Sequence, residues 1–129
     1  MPRKKSKTLT EAELKLMDIL WTKGEGTVQD VLDTLSERES LAYTTVLTIL
    51  RILERKGYLK HRKLSRAFVY YPVVKRDEVS SSAVKDIIRK FFDDSPELLV
   101  LSVFENEEID ADELSRLKDM IEKYEETER

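Results

Sequence analysis

Residues 43–66, YTTVLTILRILERKGYLKHRKLSR, have the side-chain types and spacing needed to bind a polyanion. Seven of them are Lys or Arg, and Glu54 is the one acidic residue. Polar side chains in the first half recur at spacings of four, three and four, on one stripe of a predicted helix; they are Thr44, Thr48, Arg51 and Arg55. Threonine can contact a phosphate or a thymine methyl group, and arginine can bond guanine or a phosphate. The stripe is typical of a helix in the major groove of DNA, although an ordinary solvated helix face has the same pattern.

The second half of this run predicts a basic β-hairpin. Residues 58–63 and 67–74 are together rich in Tyr, Phe and Val, and they flank a predicted three-residue loop, Leu64-Ser65-Arg66. Pro72 indicates a strand edge or a strand end, because proline cannot donate to a ladder. The hairpin would extend the positive surface to the phosphate backbone through its cations, Lys60, Arg62, Lys63 and Arg66.

Three predicted helices precede this hairpin. Thr10 and Glu13 have the spacing of a capping box, which predicts a first helix over about residues 11–23, ended by Gly24-Glu25-Gly26. A second, short helix should end near Ser36, and the helix with the polar stripe is predicted over about residues 43–56. Three helices followed by a hairpin is the order of a winged helix-turn-helix domain. We therefore predict a mostly α fold with a small β-hairpin wing.

Apolar residues at helical spacing mark the faces expected to pack together. They are Leu14, Met17, Leu20 and Trp21 in the first helix, Val28, Val31, Leu32 and Leu35 in the second, and Val46, Ile49, Leu50 and Leu53 in the third. The aromatic residues that fall where the helices meet the hairpin are Trp21, Tyr58, Phe68, Tyr70 and Tyr71. We predict that these aromatic residues pack in the core; a platform for stacking bases is the alternative.

The chain changes character at residue 76, which predicts two domains, residues 1–75 and 76–129. The first holds 15 Lys and Arg against 9 Asp and Glu, whereas the second holds 8 against 17. This asymmetry inside a chain of net charge -3 is expected when one part meets a polyanion and the other does not. The second part predicts three further helices, over about residues 77–92, from Ser95-Pro96, and from Asp110.

This helical tail has more apolar surface than it can easily bury by itself. It packs either on the first domain or against a second copy of itself, and twofold pairing is the commonest form of oligomer. We predict a homodimer. The apolar residues expected at its interface are Ile87, Ile88, Phe91, Phe92, Leu98, Leu99, Leu101, Phe104, Leu114, Leu117 and Ile121.

The composition argues against several kinds of site. Without cysteine the chain has no disulfide, no thiolate metal site and no cysteine nucleophile. A single histidine, His61, supplies neither a Cys/His zinc site nor a robust catalytic triad, and we interpret it as a strand or backbone-contact residue. Three glycines leave no phosphate-binding loop, and the acidic residues 105–113 lack the order of a calcium loop. We expect no metal, no cofactor and no enzymatic activity.

The hydropathy pattern predicts a cytoplasmic protein. The longest apolar run, residues 98–104, is far shorter than the roughly 20 residues that cross a bilayer. The basic start MPRKKSK is not followed by the apolar segment of a secretory signal. We expect no membrane insertion.

Several stretches together resemble the penicillinase and methicillin-resistance repressors, the BlaI/MecI family. They are LTEAELKLMDILW at 9–21, TVQDVLDTL at 27–35, LAYTTVLTILRILERKGYLKHRK at 41–63, FVYYPVV at 68–74 and SPELLVLSVFENEEIDADELSRLKDMIEK at 95–123. The resemblance covers nearly the whole chain, and it rests on the order of the stretches because none is diagnostic alone.

The resemblance implies a dimeric winged-helix repressor whose N-terminal domains bind a palindromic operator in double-stranded DNA. It places the third helix in the major groove and the hairpin, as a wing, on the backbone. With the polar stripe, the expected DNA-binding residues are Tyr43, Thr44, Thr45, Thr48, Arg51, Arg55, Lys60, Arg62, Lys63 and Arg66.

The resemblance also implies a route by which repression is relieved. Members of the family are typically released when a membrane-bound sensor metalloprotease triggers cleavage in the fifth helix at an Asn-Phe bond. Here the segment reads Leu101-Ser102-Val103-Phe104, so the aligned bond is Ser102-Val103 and the Asn-Phe pair is absent. Cleavage of the C-terminal region or another signal is therefore expected to relieve repression.

A winged helix also serves as a protein-interaction module, and fold alone does not decide between the two. In that alternative, the basic hairpin docks an acidic partner and the tail is a scaffold. Preference for one DNA sequence over bulk DNA separates the two hypotheses.

Overall fold

The structure is a computed structural model, and it describes residues 9–35 and 41–128. Its elements in order are α1 (Glu11–Lys23), α2 (Val28–Leu35), α3 (Tyr43–Lys56), β1 (Leu59–Leu64), β2 (Ala67–Pro72), α4 (Arg76–Phe91), α5 (Pro96–Asn106) and α6 (Ala111–Glu128). The predicted winged helix-turn-helix order is confirmed. The basic start of the chain and the predicted end of the second helix at Ser36 lie outside the described residues.

The helix ends follow from local hydrogen bonding. At α1 the Glu13 backbone N–H donates to Thr10 Oγ1 over 3.1 Å, and the Thr10 N–H donates to Glu13 Oε1 over 2.8 Å. This capping box satisfies two N–H groups that a helix start otherwise leaves without partners. α3 ends at Gly57, whose φ of 93° lies in the left-handed region that favours glycine. Both features match the prediction.

One face of each of the first three helices forms the core with the hairpin. Its fully buried members include Leu16, Met17, Leu20, Val31, Val46, Leu50 and Leu53. The predicted α1 stripe was wrong in part, because Leu14 is 43% exposed whereas Leu16 is fully buried. The buried face of α1 passes through Glu13, a charged residue, and Leu14 lies about a quarter turn away from it.

The hairpin is antiparallel and its turn is shorter than predicted. Leu64 pairs with Ala67, so Ser65 and Arg66 alone form the turn and the three-residue loop was wrong. Ser65 takes a positive φ of 58°, as two-residue hairpin turns require. Gly26 makes an isolated antiparallel bridge with Tyr70 of β2, so one residue of the segment between α1 and α2 pairs with the edge of the hairpin.

The chain divides into two compact units, residues 1–86 and 87–129, whereas the sequence predicted the boundary at residue 75. Side-chain contacts explain why the start of α4 belongs to the first unit. The Arg76 guanidinium lies 3.2 Å from Asp18 and over the ring of Trp21, 5.2 Å from its centroid. Val79 packs against the core of the first unit. None of the described helices combines the length and apolar character needed to cross a bilayer.

Candidate nucleic-acid interface

The polar stripe of α3 faces solvent, directly opposite its buried face. Val46, Leu50 and Leu53 are fully buried, and at 3.6 residues per turn the stripe lies within an arc of about 60° on the other side. All four of its residues, Thr44, Thr48, Arg51 and Arg55, are exposed. The Thr48 hydroxyl donates to the Thr44 carbonyl over 2.8 Å, which leaves its oxygen able to accept and its methyl group able to make apolar contacts.

Among the described residues, no side chain caps the first turn of α3. Its cap residue, Ala42, makes no side-chain hydrogen bond, and the turn holds no acidic residue. Tyr43 and Thr45 flank the stripe in this turn, and both are exposed. Backbone N–H groups at a helix start, together with the helix dipole, favour phosphate.

His61 joins the hairpin to α3. Its Nδ1 lies 2.8 Å from both carboxylate oxygens of Glu54, and its ring centroid lies 4.7 Å from that of Phe68 and 5.4 Å from that of Tyr70. His61 is a strand residue, as predicted, and its ring also contacts a helix side chain. Phe68 was predicted to pack in the core but is 42% exposed, because it packs on the exposed His61 ring nearer the turn.

Tyr70 brings the second strand to the same part of α3. It is 1% exposed, and burial raises its pKa above the usual range for tyrosine, with the negative charge of Glu54 adding to the effect. The Arg51 guanidinium acts in the opposite direction and lowers that pKa.

The cations of the hairpin lie on different faces. Side chains alternate along a strand, so Lys63 shares with His61 the face that contacts α3, while Lys60 and Arg62 point to the opposite face. Arg66 lies in the turn. Within residues 9–35 and 41–128, no carboxylate forms an ion pair with Lys60, Lys63 or Arg66. These three cations are available to an external polyanion.

Arg62, in contrast, is engaged by Glu25 in the segment between α1 and α2. Its Nη1 and Nη2 donate to Oε1 and Oε2 of Glu25, each over 2.8 Å. Hydrogen bonding to Arg62 lowers the pKa of Glu25, and the same contact raises the pKa of Arg62. No pattern in the sequence indicates this pair, because residues 24–26 are interpreted there only as the break after the first helix.

Lys56 is also paired with a glutamate of the same chain, so its charge does not add to the basic surface. Its ammonium nitrogen donates to Glu13 Oε1 over 2.9 Å, and its distance to Oε2 is 2.8 Å. Glu13 is 4% exposed. Burial raises the pKa of Glu13, but hydrogen bonds from Lys56 and Thr10 and the charge of Lys56 lower it further than burial raises it.

The residues predicted for dimerisation remain accessible in the single chain. Neither α5 nor α6 has a buried residue. The exposed members are Ile87, Phe91, Leu98, Leu101, Phe104, Leu114 and Ile121, and the partly buried ones are Ile88, Phe92, Leu99 and Leu117. Ser102 and Val103 lie in the middle of α5, where the Asn106 amide donates to the Ser102 carbonyl over 2.9 Å.

Comparison with known proteins links this geometry to one family. The family model described as "Penicillinase repressor" matches residues 9–123. The chain is 26% identical to the "Penicillinase repressor" of Bacillus licheniformis over 121 residues, which cover 94% of each protein. It is 36% identical over 111 residues to the "Transcriptional regulator BlaI" of Mycobacterium tuberculosis, covering 85% of this chain and 80% of that protein.

A solved structure shows the same relation for part of the chain. The solution structure of the DNA-binding domain of the repressor BlaI is 32% identical, with a TM-score of 0.53, and the match covers 59% of this chain and 93% of that domain. The likeness therefore extends over almost all of that DNA-binding domain.

Proposed function

Because the chain belongs to the penicillinase repressor family, we propose that it is a cytoplasmic transcriptional repressor without enzymatic activity. It binds a palindromic operator in duplex DNA as a homodimer. The observation that carries this proposal is the arrangement of α3. Its polar stripe is exposed opposite a fully buried face, and its Glu54 contacts His61 of the basic hairpin.

In this proposal α3 lies in the major groove. Thr44, Thr48, Arg51 and Arg55 contact base edges or phosphates, and Tyr43 and Thr45 flank the stripe in the first turn. Lys63 and Arg66 contact the DNA backbone, since both are exposed and Lys63 shares the face that adjoins α3. Lys60 supplies positive charge from the opposite face. Phosphate contacts of this kind orient the protein, and the base contacts supply the sequence preference.

The apolar residues of α5 and α6 pair with those of a second chain. A helix with Leu98, Leu101 and Phe104 each exposed by 43–51% leaves a large apolar surface in water, which usually marks an interaction site. Pairing removes that surface from water and joins two DNA-binding units, one for each half-site, in one molecule. The second half-site is then bound at a high effective concentration.

Relief of repression belongs to the same proposal. A signal from a membrane-bound sensor protease, acting indirectly, leads to cleavage at or near Ser102-Val103, or another signal acts on the C-terminal region. Cleavage inside α5 would separate α6 from the DNA-binding unit and weaken the dimer.

The experiment that tests the proposal is selection of random duplex DNA by the purified protein at about physiological salt, followed by sequencing. A palindrome with half-sites about one helical turn apart, or a small multiple of that, is the expected result. Binding of the selected site should weaken steeply with salt. If no sequence is enriched, the protein-interaction module is favoured and the repressor proposal fails.

A further inference from the structure

Two adjacent residues of β1 hold the hairpin from opposite faces. His61 and Arg62 point in opposite directions because side chains alternate along a strand. Each contacts both carboxylate oxygens of one glutamate at 2.8 Å. His61 contacts Glu54 in α3, and Arg62 contacts Glu25 in the segment before α2. The hairpin is therefore held on both faces at this pair of adjacent residues, by α3 on one face and by the segment before α2 on the other.

The backbone is anchored at the same level. Gly26, the neighbour of Glu25, donates its N–H to the Tyr70 carbonyl over 2.9 Å and accepts from the Tyr70 N–H over 2.8 Å. Tyr70 is the register partner of His61. Beyond this level, residues 62–68 are all exposed, and a two-stranded hairpin has little stability of its own. The direction in which the turn projects is thus set by these anchors.

The Glu25–Arg62 pair is suited to setting a direction and poorly suited to holding the fold together. Both side chains are about half exposed, 50% and 47%, and exposed ion pairs add little to stability. A two-pronged arginine–carboxylate contact, however, fixes the relative orientation of its partners. Lys63 and Arg66, the cations assigned to the DNA backbone, lie one and four residues beyond Arg62.

We infer that Arg62 is a positioning residue, which acts through Glu25 to aim the wing at the DNA and does not itself bind a phosphate. The inference rests on the proposed function and assigns a role within it. It differs from the expectation that Arg62 contacts DNA, in which case Glu25 would only compete with the phosphate for the guanidinium.

The two roles give opposite signs for one substitution. Glu25→Gln removes a negative charge from the DNA-binding unit, so electrostatics alone strengthens binding to every duplex, and release of Arg62 to a phosphate would add to that gain. A weaker complex with the selected operator can arise only if Glu25 holds the wing in place. The sign of the change therefore separates positioning from competition.

The experiment measures operator and bulk-DNA affinity of the full chain over a range of salt for Glu25→Gln, Arg62→Gln and the double variant. We expect each single variant to lose roughly fivefold in affinity per half-site, about the most that one exposed ion pair supplies, and the double variant to lose no more. The slope of log affinity against log salt should change by the same amount in Glu25→Gln and Arg62→Gln, because both variants lose the same alignment of Lys63 and Arg66 with the phosphates. Lys23→Gln, which removes an exposed cation of α1, and Glu11→Gln, which removes an exposed carboxylate of the same helix, are the matched controls.

Unchanged or tighter operator binding by Glu25→Gln would overturn the inference. So would additive losses in the double variant, or a salt slope that is lowered in Arg62→Gln and not in Glu25→Gln, which is the result expected if Arg62 itself contacts a phosphate. Equal melting temperatures of the variants and the wild type exclude a loss of folding as the cause. Failure of the wild type to select any operator is a different result, because it rejects the proposed function and the inference together.

Discussion

The Lys56 ammonium lies 2.8–2.9 Å from both carboxylate oxygens of Glu13, so the last turn of α3 is joined to the first turn of α1. Glu13 also accepts from the Thr10 backbone N–H. One buried carboxylate thus completes the cap of α1 and neutralises the cation at the end of the helix that carries the polar stripe. This contact therefore holds the C-terminal end of α3 against the N-terminal end of α1.

Glu13→Gln should lower the free energy of unfolding by about 1–3 kcal/mol, since it leaves a partly buried ammonium without its counter-charge and weakens the cap. Urea unfolding at neutral pH measures the change. Glu11→Gln is the control, because Glu11 lies two residues earlier in the same turn and is exposed. Its free energy of unfolding should stay within about 0.5 kcal/mol of that of the wild type. Equal stability of the two variants would contradict the role of Glu13.

The same pair predicts how stability depends on pH. The pKa of Glu13 is lowered in the folded state, so the unfolded chain binds more protons and the contribution of Glu13 is present above the unfolded pKa, near 4.3. It is lost as pH falls through the folded pKa. The difference in unfolding free energy between the wild type and Glu13→Gln should therefore be full at pH 7 and shrink below pH 4. A constant difference across that range would show that the charge of Glu13 is not involved.

Arg51→Ala and Lys63→Ala should impair DNA binding in different ways. Loss of Arg51 should cost about 1–3 kcal/mol at one position of the operator and relax the preference there, if the guanidinium reads a base edge. Loss of Lys63 should weaken binding to all sequences alike and lower the salt slope by about 0.9 for each subunit bound. Selection experiments with each variant measure both effects, and identical profiles would refute the assignment of α3 to the groove and the wing to the backbone.

Leu101→Asp should convert the dimer to a monomer and reduce operator affinity by tenfold or more, because a charge would be placed inside the apolar interface. Leu101 lies in α5, in the second unit, and is not part of the core of the first unit, so the substitution should leave the fold of the first unit intact. Sedimentation measures the mass, and Thr127→Asp adds the same charge at a polar position of α6 as a control. A dimeric Leu101→Asp variant would place the interface elsewhere.

Truncation tests the boundary between the two units. A chain that ends after Asp86 should be a folded monomer, whereas one that ends after Lys75 should melt at a lower temperature. The shorter chain lacks the Arg76 contacts with Trp21 and Asp18 and the packing of Val79 on the core. Melting temperatures of the two chains make the comparison, and equal values would support the boundary at residue 75.

The helices were predictable because the signals that start and end them are local. The capping box at Thr10 and Glu13, the left-handed Gly57 and the Ser95-Pro96 start all act within one turn, and the bounds of α1 and α3 agree with the prediction. The hairpin turn was predicted one residue too long, because no glycine or asparagine marks the positive φ that Ser65 adopts.

The interface was only partly predictable, because counting cations does not show which of them are already paired. Arg62 and Glu25 are 37 residues apart, and Lys56 and Glu13 are 43 apart. Such pairs depend on how the helices and the hairpin pack, and no periodicity in the sequence records them. The stripe on α3 was predictable for the opposite reason, since helical spacing alone places its residues together.

The absence of buried residues in the described parts of α5 and α6 makes the proposed repressor sensitive to its own abundance. Where single chains predominate, mass action makes the amount of dimer rise with the square of the protein concentration, so a twofold fall in protein leaves roughly a quarter of the dimer. A modest change in synthesis or turnover would then be felt at the promoter as a much larger change in occupancy. Gene dosage would act on such a regulator as a second input beside any inducing signal.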